Sequence, residues 1–199
     1  VTDKMDRRQA KTKQALRKAL MELIEDKGIE GLTVTDISER ADVNRGTFYL
    51  HYRDAQDMLS QIRTEILVNI DQLMNKVDIY DLRQYAAKEE PYPPMVRFIE
   101  ELGRNGDFLK VILGPKGDPS FAISLKAMIT KHIWSKMSTH QAVKELLVPA
   151  EYLLAYTTSA NLGILTHWIE SGTKQEPTEV VRIMMRIIYH GPMHALNLD

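Results

Sequence analysis

The chain has 199 residues, with 26 Lys plus Arg against 27 Asp plus Glu and 44% hydrophobic residues, a balance that excludes a disordered, collagenous or strongly polyionic chain. With no cysteine there is no disulfide framework and no thiolate for catalysis or zinc binding, so a reducing compartment is expected. Residues 1–18 lack the apolar run of a secretory signal, and no stretch approaches the roughly 18 apolar residues of a membrane span; a soluble cytoplasmic protein is expected.

The charge is unevenly spread. Residues 1–18 hold Lys4, Arg7, Arg8, Lys11, Lys13, Arg17 and Lys18 against only Asp3 and Asp6, a basic arm that is either a solvated, frayed terminus or a phosphate-contacting element. Leu16, Ala19, Leu20, Leu23 and Ile24 then mark one face of a first helix, ended near Lys27 by Gly28. Thr33 precedes Val34, Ile37 and Ala41 at helical spacing, and Thr33–Asp36 has the pattern of a capping box. A second helix is therefore expected over about 34–41. Asn44 is a good N-cap for a third of one and a half to two turns, anchored by Val43 and Phe48. Asp54–Asp57 repeats the capping pattern, and Leu59, Ile62, Ile66, Ile70, Leu73 and Val77 predict a long fourth helix.

From Asp78 to Pro94 periodicity lapses and prolines collect, predicting a connection with at most a short helical turn. Pro94 can open a fifth helix running to about Arg104, and Asp107 is read as the cap of a short sixth ending at Gly114-Pro115. The Gly114–Pro119 loop lacks the order of a phosphate-binding loop and reads as a surface turn. A seventh helix is expected over about 119–137. From Pro149 to Ser171 and from Thr178 to Tyr189 apolar residues cover most of the helical circumference, which requires burial, and two such helices side by side point to a surface completed by a second subunit. No segment alternates with period two. The expected fold is all-α, with about nine helices, an N-terminal domain over 1–53 and a regulatory and dimerisation domain over 54–199.

The second and third helices, joined by a short turn behind an amphipathic first helix, form a helix-turn-helix pattern. The run Gly31 to Tyr52, with T-V-x-x-I-x-x-R-A-x-V and G-T-F-Y-x-H-Y at their proper separation, resembles the DNA-binding domain of tetracycline-repressor (TetR-like) regulators. Beyond residue 60 the resemblance is one of architecture, and the segments 107–121, 152–156 and 167–172 are similar to a C-terminal region of Gram-positive members that include regulators near dihydroxyacetone-kinase genes. The resemblance implies a homodimeric regulator, a repressor, binding a palindromic operator in double-stranded DNA and responding to a small-molecule effector. The alternatives are a DNA-bound adaptor or activator controlled by a protein partner, or a helical metabolite-binding protein or enzyme.

The resemblance implies candidate DNA contacts at Thr33, Thr35, Asn44, Arg45, Gly46, Thr47, Tyr49, His51, Tyr52 and Arg53, and the chemistry of those around the third helix agrees. Gly46 and Thr47 let the backbone approach DNA, and Arg45 can reach guanine or phosphate. Tyr49, His51 and Tyr52 carry polar groups suited to phosphates, although one tyrosine can equally pack against the first helix, and Phe48 reads as core. Thr33 is either a contact or simply a cap. Two positions depart from the family pattern: Asp42 stands where the turn commonly has glycine, and Ala55 where a lysine commonly opens the fourth helix, a loss for which Arg53 can compensate.

The effector site is expected among the fourth to eighth helices, lined by some of Phe98, Leu102, Phe108, Leu125, Met128, Tyr152, Tyr156 and Asn161. Asn161 carries the expectation, because a buried amide needs a partner, while Tyr152 and His167 read as core hydrogen-bonding groups. His190 and His194 are four apart, but Gly191-Pro192 between them breaks the helix that would align two metal ligands. No metal, cofactor, membrane contact or catalytic group is expected, and Ala155, Ser159 and Gly163 offer a small-residue stripe for close helix approach.

Overall fold

The predicted stripe Leu16, Ala19, Leu20, Leu23 and Ile24 is buried throughout, along one face of α1 (Thr2–Lys27). This is seen in a computed structural model that describes residues 2–138 and 146–195. The basic arm is thus the opening of α1 rather than a separate tail. Gly28 ends the helix at φ 86°, a conformation that suits glycine, with its N–H donating to the Ile24 carbonyl at 2.8 Å.

The chain divides into two units, Val1–Ile66 with Val111–Phe121, and Leu67–Lys110 with Ala122–Asp199. This partition differs from a single cut after residue 53: the first unit reaches into α4 (Ala55–Met74) and includes a segment far along the chain. In the first unit, α2 (Val34–Arg40) starts with the expected capping box. The Thr33 hydroxyl accepts from Asp36 N–H at 3.1 Å, while the Asp36 carboxylate accepts from Thr33 N–H at 3.2 Å. Lys27, 2.7 Å away, and then Thr33 hold the Asp36 carboxyl down at about 2. Arg40 reaches back to Asp26 at 2.8 Å and Glu22 at 3.4 Å, tying α2 to α1. Asn44 caps α3 (Arg45–Tyr49) by accepting from Gly46 N–H at 2.7 Å. Asp42 in the turn has φ 52°, the left-handed conformation that Asp accepts more readily than most residues. Phe48 is fully buried.

Segment 111–121 belongs to this unit through specific bonds. Ile29 N–H donates to the Lys116 carbonyl at 3.2 Å. Arg63 on α4 pairs with Asp118, donates to the Ser120 hydroxyl at 3.0 Å and lies over the Phe121 ring. The turn is tight: a side chain on Gly117 would sit 2.1 Å from the Ile112 carbonyl oxygen.

The second unit contains the rest of α4, α5 (Ile79–Ala87), α6 (Pro93–Arg104), most of α7 (Gly106–Leu113) and of α8 (Pro119–Ser138), α9 (Ala150–Glu170) and α10 (Pro177–Ala195). Ten helices and no strand are found among the described residues, one helix more than the spacing predicts. The extra one is α5, where a connection was expected. Asp78 caps it, accepting from Tyr80 N–H at 2.8 Å, and it packs against α10. Asp107 is not a cap but lies inside the first turn of α7. Gly191, at φ 81°, kinks α10 where the Gly-Pro pair predicted a break. The packed part of the core holds Ile99, Leu102, Phe108, Leu109 and Trp168; the Trp168 indole donates to the Gln175 carbonyl at 2.9 Å and lies against Gly103.

Candidate nucleic-acid interface and ligand cavity

The exposed side of α3 and its flanks carries most of the expected contact residues. Arg45 and Gly46 are exposed at the first turn, and Arg45 has no hydrogen-bond or ion-pair partner among the described residues. Thr47 is half-buried. Tyr49 is exposed, its ring set edge-on against Phe48. Asn44 keeps its amide group exposed while its oxygen caps the helix. Arg53 is exposed but leans on Asp57 at 3.2 Å. Asp57 in turn accepts from Arg53 N–H at 2.9 Å, and these bonds, the backbone one first, lower its pKa.

Other expected positions differ. Tyr52 is only 6% exposed and packs on Phe48 at 5.6 Å between ring centres; it is the tyrosine that serves the core, and burial raises its hydroxyl pKa. The Thr33 hydroxyl is used twice within the capping box, accepting from Asp36 N–H and donating to its carboxylate at 2.6 Å, so its local role is complete without DNA. Thr35 is half-buried. His51 is half-buried, and its pKa is lowered first by burial and then by the charge of Lys13. Sequence reasoning missed Leu50, which is 80% exposed at the end of α3. An apolar side chain at the helix C-cap gives no periodic signal, since periodicity assigns such residues to the core.

The second unit contains a partly open cavity of about 570 Å³, within the range of small-molecule sites, about 300–1,000 Å³. Met74 and Val77 line it together with Met95 and Phe98 of α6, Ile129 and Ile133 of α8, and Thr157, Asn161 and Leu165 of α9. Met184, Ile188 and Tyr189 enter from α10, and Ile79, Leu82, Arg83 and Ala86 from α5. Of the expected lining, Phe98 and Asn161 are present. Leu102, Phe108 and Leu125 are buried but not among the lining residues, and Met128 is half-buried away from it. Tyr152 and Tyr156 are 70% and 55% exposed, and His167 is exposed too, so the core roles expected for Tyr152 and His167 do not hold. Asn161 donates to the Thr157 carbonyl at 2.8 Å, a bond within its own helix that gives its amide a partner without any ligand.

The exposed face of α9 runs through Tyr152, Ala155, Tyr156, Ser159 and Gly163, and a side chain on Gly163 would meet no atom within 4 Å. Ile183 of α10 is exposed beside a groove lined by Ala160, Gly163, Ile164 and His167. Met184, by contrast, is buried against the cavity. The expected all-round burial of α9 and α10 is thus incomplete in one chain. The side chain of His194 lies outside the described residues; among those described, no group of three or more His, Asp or Glu could hold a metal ion, and no helix is long and apolar enough to cross a membrane.

Residues 16–62 match the family model of bacterial regulatory proteins, tetR family, and residues 89–190 match that of a transcriptional regulator C-terminal region. Over 56 residues the chain is 36% identical to the uncharacterized HTH-type transcriptional regulator YxbF of Bacillus subtilis (strain 168), a stretch that is 28% of this chain and 15% of that protein. Three solved structures are similar in fold. A TetR transcriptional regulator from Streptococcus agalactiae 2603V has TM-score 0.57 and 19% identity, covering 94% of this chain and 99% of that one. The dihydroxyacetone kinase operon activator DhaS has TM-score 0.53 and 17% identity, covering 90% and 94%. FadR from Bacillus subtilis, in complex with stearoyl-CoA, has TM-score 0.54 and 12% identity, covering 89% and 98%. A capped helix-turn-helix at one end and a matching C-terminal region over most of the rest agree with one another: the chain belongs to the TetR family of bacterial transcriptional regulators.

Proposed function

We propose that the protein is a homodimeric repressor that binds a palindromic operator through two copies of α3 and is released from it when a small molecule enters the cavity of the second unit. The observation that carries this reading is the partly open, largely apolar cavity of about 570 Å³, because a concave apolar site with a few polar groups suits a small molecule, and an adaptor controlled only by a protein partner does not need one. FadR, with the same fold, is described in complex with stearoyl-CoA, which supports ligand entry without identifying the ligand here. Two recognition helices must enter successive major grooves about 34–36 Å apart, so any ligand that alters their spacing weakens binding. A coupling of about 1–3 kcal/mol changes operator affinity roughly 5- to 150-fold. Two parts of the chain can carry it: α4 runs through both units, and segment 111–121 of the first unit is continuous with α7 and α8.

The test is selection of bound sequences from random duplexes, followed by titration and a promoter reporter. A symmetric pair of half-sites one helical turn apart, occupied by two chains, with transcription rising when the gene is deleted, is the expected result. Binding of one chain to a single half-site would overturn the dimeric reading, and transcription falling on deletion would make the protein an activator.

A further inference from the structure

We propose that the ligand of this cavity is an amphipathic anion, its apolar body among the aliphatic, Met and Phe side chains and its negatively charged head against Arg83. The inference rests on the cavity reading above and adds the chemical class of what fills it. Ile79, Leu82, Arg83 and Ala86 of α5 all line the cavity, and their spacing of three, four and seven residues places them on one face of the helix. Arg83 therefore borders the apolar stripe from an exposed position, where its charge can meet both solvent and the cavity. It is the only charged residue among the described residues that line the cavity.

Its neighbours behave differently. On α10, Arg182 faces Glu179 at 3.3 Å and Arg186 faces Glu89 at 4.0 Å, so the cations just outside the cavity have carboxylates of their own. Arg83 has no ion pair and no hydrogen bond among the described residues. It is exposed, so its guanidinium stays hydrated when the cavity is empty and loses water only as a ligand fills the space beside it. A neutral ligand would strip that water without replacing it, and a cation would be repelled. An anion returns charge-assisted, bidentate hydrogen bonds to a planar guanidinium, which suits carboxylate and phosphate alike. Besides Arg83, Thr157, Asn161 and Tyr189 provide sparse polar groups in an otherwise apolar lining, enough to orient a chain or ring but not to hold a second charge.

The experiment titrates the full chain by calorimetry with four probes of equal chain length: decanoate, decyl phosphate, decan-1-ol and decylammonium. Decanoate or decyl phosphate is expected to bind ~10-fold or more tightly than decan-1-ol, the range of a hydrogen bond to a charged group, with decylammonium the weakest. Which anion binds better identifies the head group. Arg83→Gln, at an exposed helical position where Gln is well tolerated, is expected to reduce both anions to the level of decan-1-ol while leaving decan-1-ol unchanged. Equal binding of the alcohol and the anions to the wild type, or anion preference surviving in Arg83→Gln, would overturn the assignment while leaving the cavity as a ligand site. Failure of all four probes to bind would overturn the cavity reading itself, and the anion with it.

Discussion

The ammonium of Lys116 donates to the Glu25 carbonyl at 2.8 Å, and also to that of Asp26 at 2.9 Å. Both carbonyls lie in the last turn of α1, where backbone acceptors have no partner within the helix and the helix dipole favours a cation. A turn 90 residues away in sequence thus completes the end of the helix that supports the DNA-binding unit.

Lys116→Met is expected to destabilise the protein by about 1 kcal/mol, a charged hydrogen bond reduced by exposure, while Lys116→Arg retains most of the stability. Urea denaturation followed by circular dichroism measures the difference. Equal midpoints for wild type and Lys116→Met would mean that water caps α1 equally well.

At the exposed side of α3, Arg45→Ala is expected to weaken operator binding by about 1–3 kcal/mol with a smaller effect on random duplex, as loss of a base contact does. Leu50 offers an apolar surface suited to a thymine methyl group. Leu50→Ala should therefore cost operator affinity, and replacing thymine by deoxyuridine in the half-site should cost the wild type a similar amount but Leu50→Ala nothing further. Anisotropy titrations at fixed salt read both effects; an undiminished penalty for deoxyuridine in the variant would place the methyl contact elsewhere.

His51 links binding to pH. Burial, and then Lys13, hold its pKa below the ordinary histidine value, so the ring is neutral at pH 7 and the folded state binds fewer protons than the unfolded chain below about 6.5. This contribution to stability is present above the unfolded pKa and is lost as pH falls. A phosphate beside the ring acts in the opposite direction, raising the pKa and tying DNA binding to proton uptake. Operator affinity should rise between pH 7.5 and 6 while the melting temperature of the free protein falls slightly, and His51→Gln should flatten both trends. A pH-independent affinity in the wild type would remove His51 from the phosphate contacts.

The dimer reading makes a paired prediction. Ile183→Glu and Gly163→Leu alter exposed positions, the second with open space around it, so each should leave the fold of one chain intact while shifting sedimentation from dimer to monomer at micromolar concentration. A charge at Met184 would instead enter the cavity wall and confuse dissociation with unfolding. A stable wild-type monomer at that concentration would end the proposal.

The first four helices were legible because each is marked twice, once by an apolar stripe such as Leu16 to Ile24 and once by a cap such as Thr33 or Asn44, and the two signals agree. Helix α5 has the cap, Asp78, but only Ile79, Leu82 and Ala86 as its apolar side, with Arg83 among them. A helix of nine residues depends on what it packs against, which the local sequence does not contain. The same limit separated Tyr49 from Tyr52, since both belong to one motif and only the position of Phe48 decides which ring is buried. The cavity posed the harder problem: Phe98 and Phe108 look alike as apolar residues on neighbouring helices, and periodicity distinguishes inside from outside but not a packed interior from an empty one.

Because Val111–Phe121 is a working part of the first unit, the boundary that matters for engineering is not a point along the chain. A recombinant DNA-binding fragment ending at α4 would lose Lys116 from α1 and Asp118 from Arg63, exposing the charge and the helix end they cover. A chimera that gives this operator reader a foreign sensor would have to carry the turn at 111–121 within the transplanted sensor, or else accept a weakened reader.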